Sequence, residues 1–145
     1  MQVPFSMDKT TPDDSFKFED LVQPFHTNLI TDFDLCIRKP LLCTCSLDKS
    51  VKIWDYLNYS LENFKFFDQE ADAISFHPSG FHVAVAFRER VKMLNILYDM
   101  EDIRVAKDIT ARGCTELAYS NGGHYLAVAA NNFTIQLYSH YTGEA

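Results

Sequence analysis

Glycine and proline are scarce in this chain of 145 residues, with five of each. That scarcity excludes collagen-like repeats and low-complexity linkers. Basic residues are outnumbered, 13 Lys and Arg against 20 Asp and Glu, so the net charge of −7 disfavours binding to a nucleic-acid backbone. Long apolar runs are also missing. The longest uncharged stretch, residues 117–143, is broken by serine, asparagine and glycine, which excludes a membrane-spanning helix.

The first fifteen residues are polar and lack the apolar run of a secretory signal. We therefore expect a flexible lead-in over residues 1–15 and one folded domain over residues 16–145. The four cysteines, without such a signal, predict free thiols in a reducing compartment.

Aromatic residues are plentiful at 14%, and hydrophobic residues make up 47% of the chain, a composition suited to β-sheet. Short apolar runs alternate with turn signals, and none keeps a helical period over the length of an ordinary helix. The pattern predicts strands at residues 16–22, 30–37, 41–46, 51–54, 61–67, 73–76, 82–87, 91–96, 103–109, 114–119, 125–129 and 134–138. At residues 98–112 the spacing of Ile103, Ala106 and Ile109 also fits one helical stripe.

An internal repeat favours a propeller over the other all-β architectures, the sandwich and the barrel. The run VKIWD at 51–55 matches VKMLN at 91–95, and TIQLY follows at 134–138. Each run is preceded by another predicted strand, and a turn comes before that strand. The three turns contain Pro40, Pro78 and Asn121 at equivalent positions of the repeat. A period near forty with four strands per unit is typical of propeller blades. We predict an all-β fold of about three four-stranded antiparallel blades, near residues 26–67, 68–109 and 110–145, in an incomplete ring.

The first unit resembles a WD repeat. Residues 44–55, TCSLDKSVKIWD, match the second strand, turn and third strand of such a repeat, and His26 lies where these repeats place a histidine. The resemblance implies a buried structural tetrad of His26, Thr44, Asp48 and Trp54. The later units lack it: the equivalent positions hold Ala84, Arg88 and Leu94, then Ala127, Asn131 and Leu137.

Longer strings resemble one WD-repeat family, the cilia- and flagella-associated protein 57 family. They are PFH at 24–26, CIRKPL at 36–41, TCSLD at 44–48, FHPSG at 76–80, RGC at 112–114 and SNGGH at 120–124. The likeness runs from Phe16 to Tyr138. It implies a scaffold of the ciliary axoneme that positions inner dynein arms, although this chain has no heptad region like the coiled coil of such proteins.

Other polar groups invite a chemical interpretation. Cys43 and Cys45 share one face of a strand, but a C-x-C pair within a strand has poor geometry for zinc. Asp32 and Asp34 share a face and resemble an acid–base pair, but no further catalytic partner accompanies them. We predict no metal site and no cofactor.

A small basic cluster at a turn, Arg88, Arg90 and Lys92, is a candidate contact for a partner protein, because propellers bind through their connecting loops. Closed propellers have four to eight blades, so we expect ring closure by a second copy or by another chain. Either the chain is one component of a ring that a second copy or another chain completes, or the product is truncated.

The predicted function is a non-enzymatic scaffold for protein partners, with no nucleic-acid or membrane partner. By resemblance these partners are axonemal and dynein-associated, and the protein resides in the cytoplasm and cytoskeleton, at the axoneme of a cilium or flagellum. Two alternatives stay open. One is a propeller that binds small molecules or catalyses a reaction through Asp32, His77 or His124, and the other is a truncated, non-functional paralogue.

Overall fold

The computed structural model describes residues 26–145, and this part of the chain is built from eleven β-strands. They are β1 (Ile30–Leu35), β2 (Leu41–Ser46), β3 (Ser50–Asp55), β4 (Ser60–Phe66), β5 (Ala73–Phe76), β6 (His82–Ala86), β7 (Arg90–Leu97), β8 (Asp102–Thr110), β9 (Cys114–Tyr119), β10 (Tyr125–Ala130) and β11 (Thr134–Ser139). The predicted lead-in at 1–15 and the predicted strand at 16–22 lie outside the described residues.

The strands form three separate antiparallel sheets in chain order. Blade 1 is β1-β2-β3-β4, blade 2 is β5-β6-β7-β8, and blade 3 is β9-β10-β11. Within each sheet, consecutive strands are neighbours, as expected when tight turns join short strands rich in β-branched and aromatic residues. The predicted all-β class with propeller blades is confirmed.

The blades pack face to face, with the first strand of blade 2, β5, in contact with both β1 and β9. One apolar cluster joins blades 1 and 2 and includes Val51, Ile53, Val83, Val85 and Leu94. A second cluster joins blades 2 and 3 and includes Val91, Met93, Leu117, Leu126 and Val128. Each blade therefore buries the apolar face that its alternating strand pattern provides.

The ambiguous stretch at 98–112 is resolved as a strand. A single 3₁₀ turn, Tyr98–Met100, leads directly into β8, which pairs with β7 along its whole length. Ile103 and Ile109 are both buried in β8. Sheet pairing and burial outweigh the weak helical spacing here, because the strand also supplies the outer edge of blade 2.

All four cysteines are free thiols and all are buried. Burial raises the pKa of Cys45 to about 12 and that of Cys114 to about 11, and it raises the pKa of Cys43 as well. All four side chains are packing residues, and those of Cys43, Cys45 and Cys114 have little thiolate character. In the described part of the chain, no helix is long and apolar enough to cross a membrane.

Candidate functional site

Four polar side chains that are far apart in sequence meet inside blade 1. His26 precedes β1, Thr44 lies on β2, Asp48 lies in the β2–β3 turn, and Trp54 lies on β3. The Trp54 Nε1 atom is 2.9 Å from Thr44 Oγ1, which is 2.8 Å from His26 Nε2. His26 Nδ1 in turn lies 2.9 Å from Asp48 Oδ2.

The direction of these hydrogen bonds follows from the donor inventory. An indole N–H can only donate, so Thr44 Oγ1 accepts from Trp54 and donates its own proton to His26 Nε2. Nδ1 of His26 then carries the ring proton and donates it to the Asp48 carboxylate. The chain of donors runs from Trp54 to Asp48 and ends on a charged acceptor, the kind of hydrogen bond that is strongest in proteins.

Ser50 completes the network and was missed by the sequence interpretation. Its backbone N–H and its hydroxyl both donate to Asp48 Oδ1, at 2.9 and 2.5 Å, and its hydroxyl also lies 3.0 Å from His26 Nδ1. The backbone N–H of Thr27 donates to the other carboxylate oxygen at 3.1 Å. A serine two residues after an aspartate in a turn is the available signal, since Asx turns use that spacing.

The charge states of this network suit a structural role. Burial alone would raise the pKa of Asp48, but hydrogen bonds from Ser50, His26 and Thr27 outweigh it and hold that pKa well below its usual range. Burial lowers the pKa of His26 despite the hydrogen bond and charge of Asp48. Asp48 is therefore ionised and His26 neutral at neutral pH, and the hydroxyl of Thr44 is already committed within the buried network.

Asp32 and Asp34, the pair that resembled an acid–base site, bridge blades 1 and 2. Asp32 Oδ2 accepts the backbone N–H of Ile74 at 3.0 Å, and Asp34 Oδ2 accepts that of Phe76 at 2.7 Å. Ser75 repeats the arrangement one blade further, since its Oγ accepts the backbone N–H of Tyr119 at 3.1 Å. These side chains join the first strands of neighbouring blades and thereby satisfy backbone groups that no strand pairing uses.

His77, one of the loop residues of the enzymatic alternative, lies in a cluster of imidazole rings between blades 2 and 3. The centroid of its ring is 4.5 Å from that of His140 and 5.2 Å from that of His82. Its Nε2 hydrogen-bonds the carbonyl of Gly123 at 3.0 Å, and its Nδ1 contacts Ser79 Oγ at 2.8 Å. His77 therefore holds two turns together. His124, from the same alternative, is exposed in the β9–β10 turn.

The histidine cluster makes the stability of the fold depend on pH. Burial lowers the pKa of His140 to about 4, helped by His77, His82 and Lys107, and burial also lowers the pKa of His77. The unfolded chain takes up protons near the ordinary value of 6.5, whereas the folded chain resists them. Stability conferred by these groups is thus complete above pH 6.5 and is lost as the pH falls towards 4.

We expect the thermal midpoint to drop by several degrees between pH 7 and pH 5, a range that lies above most carboxylate titrations. The His140→Gln variant should show a shallower drop, because it removes the most strongly shifted imidazole. Thermal melts followed by circular dichroism at matched ionic strength measure this, and the same pH slope in both proteins would contradict it.

The three residues of the basic cluster, Arg88, Arg90 and Lys92, make different contacts. Arg88 is exposed at the β6–β7 turn, whereas Arg90 forms an ion pair with Asp108 at 3.2 Å. The Lys92 ammonium lies 5.4 Å from the ring centroid of Phe87. Among the described residues Arg88 forms no ion pair within 4 Å and no contact with an aromatic ring, but its charge acts on the neighbouring carboxylate of Asp72. In the same part of the chain, no group of three or more His, Cys, Asp or Glu side chains has the arrangement of a metal site.

Three antiparallel blades, the first of which contains the hydrogen-bonded tetrad, form a WD-repeat propeller segment. The family described as WD domain, G-beta repeat, matches residues 21–55, which include all four tetrad residues. A chain in a crystal structure of the mitotic checkpoint complex superimposes with a TM-score of 0.69 over 79% of this chain and 37% of that one, at 16% identity. That likeness concerns the fold alone.

The sequence is similar over nearly its whole length to cilia- and flagella-associated protein 57 proteins. It is 45% identical to the Tetrahymena thermophila protein 57 A over 99% of this chain and 42% identical to the mouse protein over 90% of it. A 77 kDa echinoderm microtubule-associated protein of Lytechinus variegatus is 32% identical over 84% of this chain and 18% of its own length. The predicted resemblance is confirmed, and the names of the relatives agree with the predicted location in a cilium or flagellum.

This chain spans 11% and 10% of the length of the two protein 57 relatives. It corresponds to a small part of proteins of that kind.

Proposed function

We propose that this chain is a non-enzymatic scaffold segment of the ciliary or flagellar axoneme, and that it helps to position inner dynein arms. The observation that carries the proposal is the 45% identity over 99% of the chain to a protein named for its association with cilia and flagella. The assignment to inner dynein arms comes from the family resemblance, and it is the finer part of the proposal.

The contacts in blade 1 support a role without catalysis. The acid Asp48, the base His26 and the hydroxyl of Thr44 are hydrogen-bonded to one another inside blade 1. Both carboxylates of the other acidic pair accept backbone N–H groups of blade 2. A catalytic hydroxyl must reach a substrate, and Thr44 is only 2% exposed. We therefore propose structural roles for His26, Thr44, Asp48 and Trp54, within blades bounded near 26–67, 68–109 and 110–145.

Two exposed apolar sheet faces support a further part of the proposal, that additional blades from a second copy or another chain pack against this segment. On blade 3, Ile135 is 73% exposed and Leu137 is 59% exposed, both on β11. On blade 1, Phe64 and Phe66 are exposed on β4. Large exposed apolar patches mark interaction sites. Arg88 remains the proposed contact residue of the basic cluster.

The proposal is tested by location. We expect a tagged copy expressed in ciliated cells to enter the cilium and to stay with the axoneme after a high-salt wash, since apolar contacts resist salt better than ionic ones. Co-sedimentation of inner-arm dyneins with the tagged chain after that wash tests the finer part. A tag spread evenly through the cell body would contradict the scaffold role and favour a non-functional paralogue.

A further inference from the structure

The two ends of the blades differ in chemistry. In an antiparallel blade, the turn between the first and second strands and the turn between the third and fourth strands lie at the same end. In blades 1 and 2 these turns are residues 36–40, 56–59, 77–81 and 98–101, and together we call them the turn face. The turn face exposes the apolar side chains Ile37, Leu57, Tyr59, Phe81 and Met100. The opposite end carries mostly charged and amide side chains, among them Lys49, Glu70, Asp72, Arg88, Glu89 and Arg112.

Two neighbouring grooves lie at the turn face, and Tyr98 lines both of them. The first groove, about 250 Å³, is lined by Lys39, Pro40, Leu41, Asp55, Glu62 and Tyr98. The second, about 260 Å³, is lined by Phe81, Ile96, Leu97, Tyr98, Asp99 and Met100. Each groove combines an apolar wall with at least one carboxylate, and each is large enough for a single long side chain.

The walls of the grooves are held in place by the fold. The Tyr98 hydroxyl donates to the carbonyl of Gly80 at 2.6 Å, which fixes the ring. The Asp55 carboxylate accepts the backbone N–H groups of Leu57 at 2.9 Å and Asn58 at 3.1 Å, which fixes the β3–β4 turn. Leu57 is nevertheless 67% exposed and Met100 is 64% exposed. Because the β3–β4 turn and the Tyr98 ring are already fixed, a partner that covers these side chains does not have to order the backbone beneath them.

Around the grooves there are four carboxylates and two basic side chains, Lys39 in the first groove and the exposed Arg38 beside it. Asp55, Glu62 and Asp99 line the grooves, and Glu101 follows Asp99 in the same turn. The basic residue in the first groove, Lys39, lies with its ammonium 3.5 Å from the ring centroid of Phe81. Lysine and arginine side chains match this combination, because their aliphatic stems pack on apolar walls while their charged ends meet carboxylates.

We propose that the turn face binds a basic, amphipathic segment of a protein partner, with two of its lysine or arginine side chains in the two grooves and its apolar residues on Leu57 and Met100. This inference rests on the proposed scaffold function and adds the chemistry of one partner. It places the contact at the end of the blades opposite to Arg88.

The test is a binding titration of the full 145-residue chain with a synthetic amphipathic peptide of lysine and leucine, followed by fluorescence anisotropy of a labelled peptide. An equally long peptide of glutamate and leucine is the ligand control. We expect saturable binding of the lysine peptide alone. The Asp99→Lys variant should weaken that binding by about tenfold, and the Leu57→Ser/Met100→Ser double variant by a similar factor.

The Glu89→Lys variant is the matched control, because it makes the same charge change on an exposed residue at the opposite end of the blades. Non-specific attraction to an acidic protein would weaken equally in Asp99→Lys and Glu89→Lys, and that result would overturn the proposal. Binding of both peptides alike, or no binding of either, would overturn it too. Self-association abolished by Leu57→Ser/Met100→Ser would assign the face to a second copy instead. A failure here with normal entry of the tagged chain into cilia would leave the scaffold function standing.

Discussion

Replacing Trp54 with alanine should lower the free energy of unfolding by about 3–5 kcal/mol, the largest effect that we expect from a single substitution in this chain. The side chain is 1% exposed, so its loss leaves a cavity in blade 1. The change also removes the indole donor from Thr44 Oγ1 at the start of the hydrogen-bonded chain. Urea unfolding of the two proteins, followed by far-UV circular dichroism, measures the difference.

Two further variants separate packing from hydrogen bonding. Trp54→Phe keeps most of the apolar volume and loses the N–H donor, so it should cost about 1–3 kcal/mol. Asp48→Ala should cost a similar amount, because it leaves His26, Ser50 and the turn backbone without their acceptor. Arg88→Ala, at the equivalent position of blade 2, should be close to neutral because Arg88 is exposed. Equal shifts for Asp48→Ala and Arg88→Ala would refute the role of the tetrad.

The second large effect concerns association. We expect multi-angle light scattering of the purified chain to give a mass above that of the monomer. The reason is that apolar side chains lie exposed on blade 1 and on the edge strand β11 of blade 3. Exposed apolar edge strands promote pairing between molecules. A discrete dimer of twice the monomer mass would support closure by a second copy. Heterogeneous aggregates would show that the exposed faces associate without closing into a defined ring, and would count against closure by a second copy.

The control for association is the Ile135→Asp/Leu137→Asp double variant, which places charge on β11 and leaves the buried Tyr138, the next residue along the strand, unchanged. This variant should shift the population towards the monomer mass, since charged side chains protect sheet edges. A compact, thermally cooperative monomer of the unmodified chain would contradict the inferred role of these faces.

Local sequence was enough to predict the strands of the described residues and their grouping into blades. The third-strand runs at 51–55, 91–95 and 134–138 repeat, and the structure places them in β3, β7 and β11. Strand propensity, alternation and turn residues act over a few neighbouring positions, so the sequence displays them directly. The stretch at 98–112 was ambiguous for the same reason, because its local spacing fits two structures and only pairing with β7 favours the strand.

Contacts between blades could not be predicted from local patterns. The carboxylate oxygens of Asp32 and Asp34 accept the backbone N–H groups of Ile74 and Phe76, some forty positions further along the chain. Nothing in the spacing of the two aspartates indicates these hydrogen bonds. The meeting of His77 with His140 depends in the same way on how blade 2 stacks on blade 3.

The sequence by itself determined the all-β class and the repeat, because each depends on residue types at short or regular spacings, whereas the four tetrad positions were what the resemblance to a WD repeat implied. The tertiary structure decided how the polar groups are used: Ser50 in the tetrad, the carboxylate bridges between β1 and β5, the histidine cluster and the unequal ends of the blades. The physical reason is that hydrogen bonds and ring contacts require atoms within a few ångströms of each other. Only the stacking of whole sheets brings residues so distant in sequence to that separation.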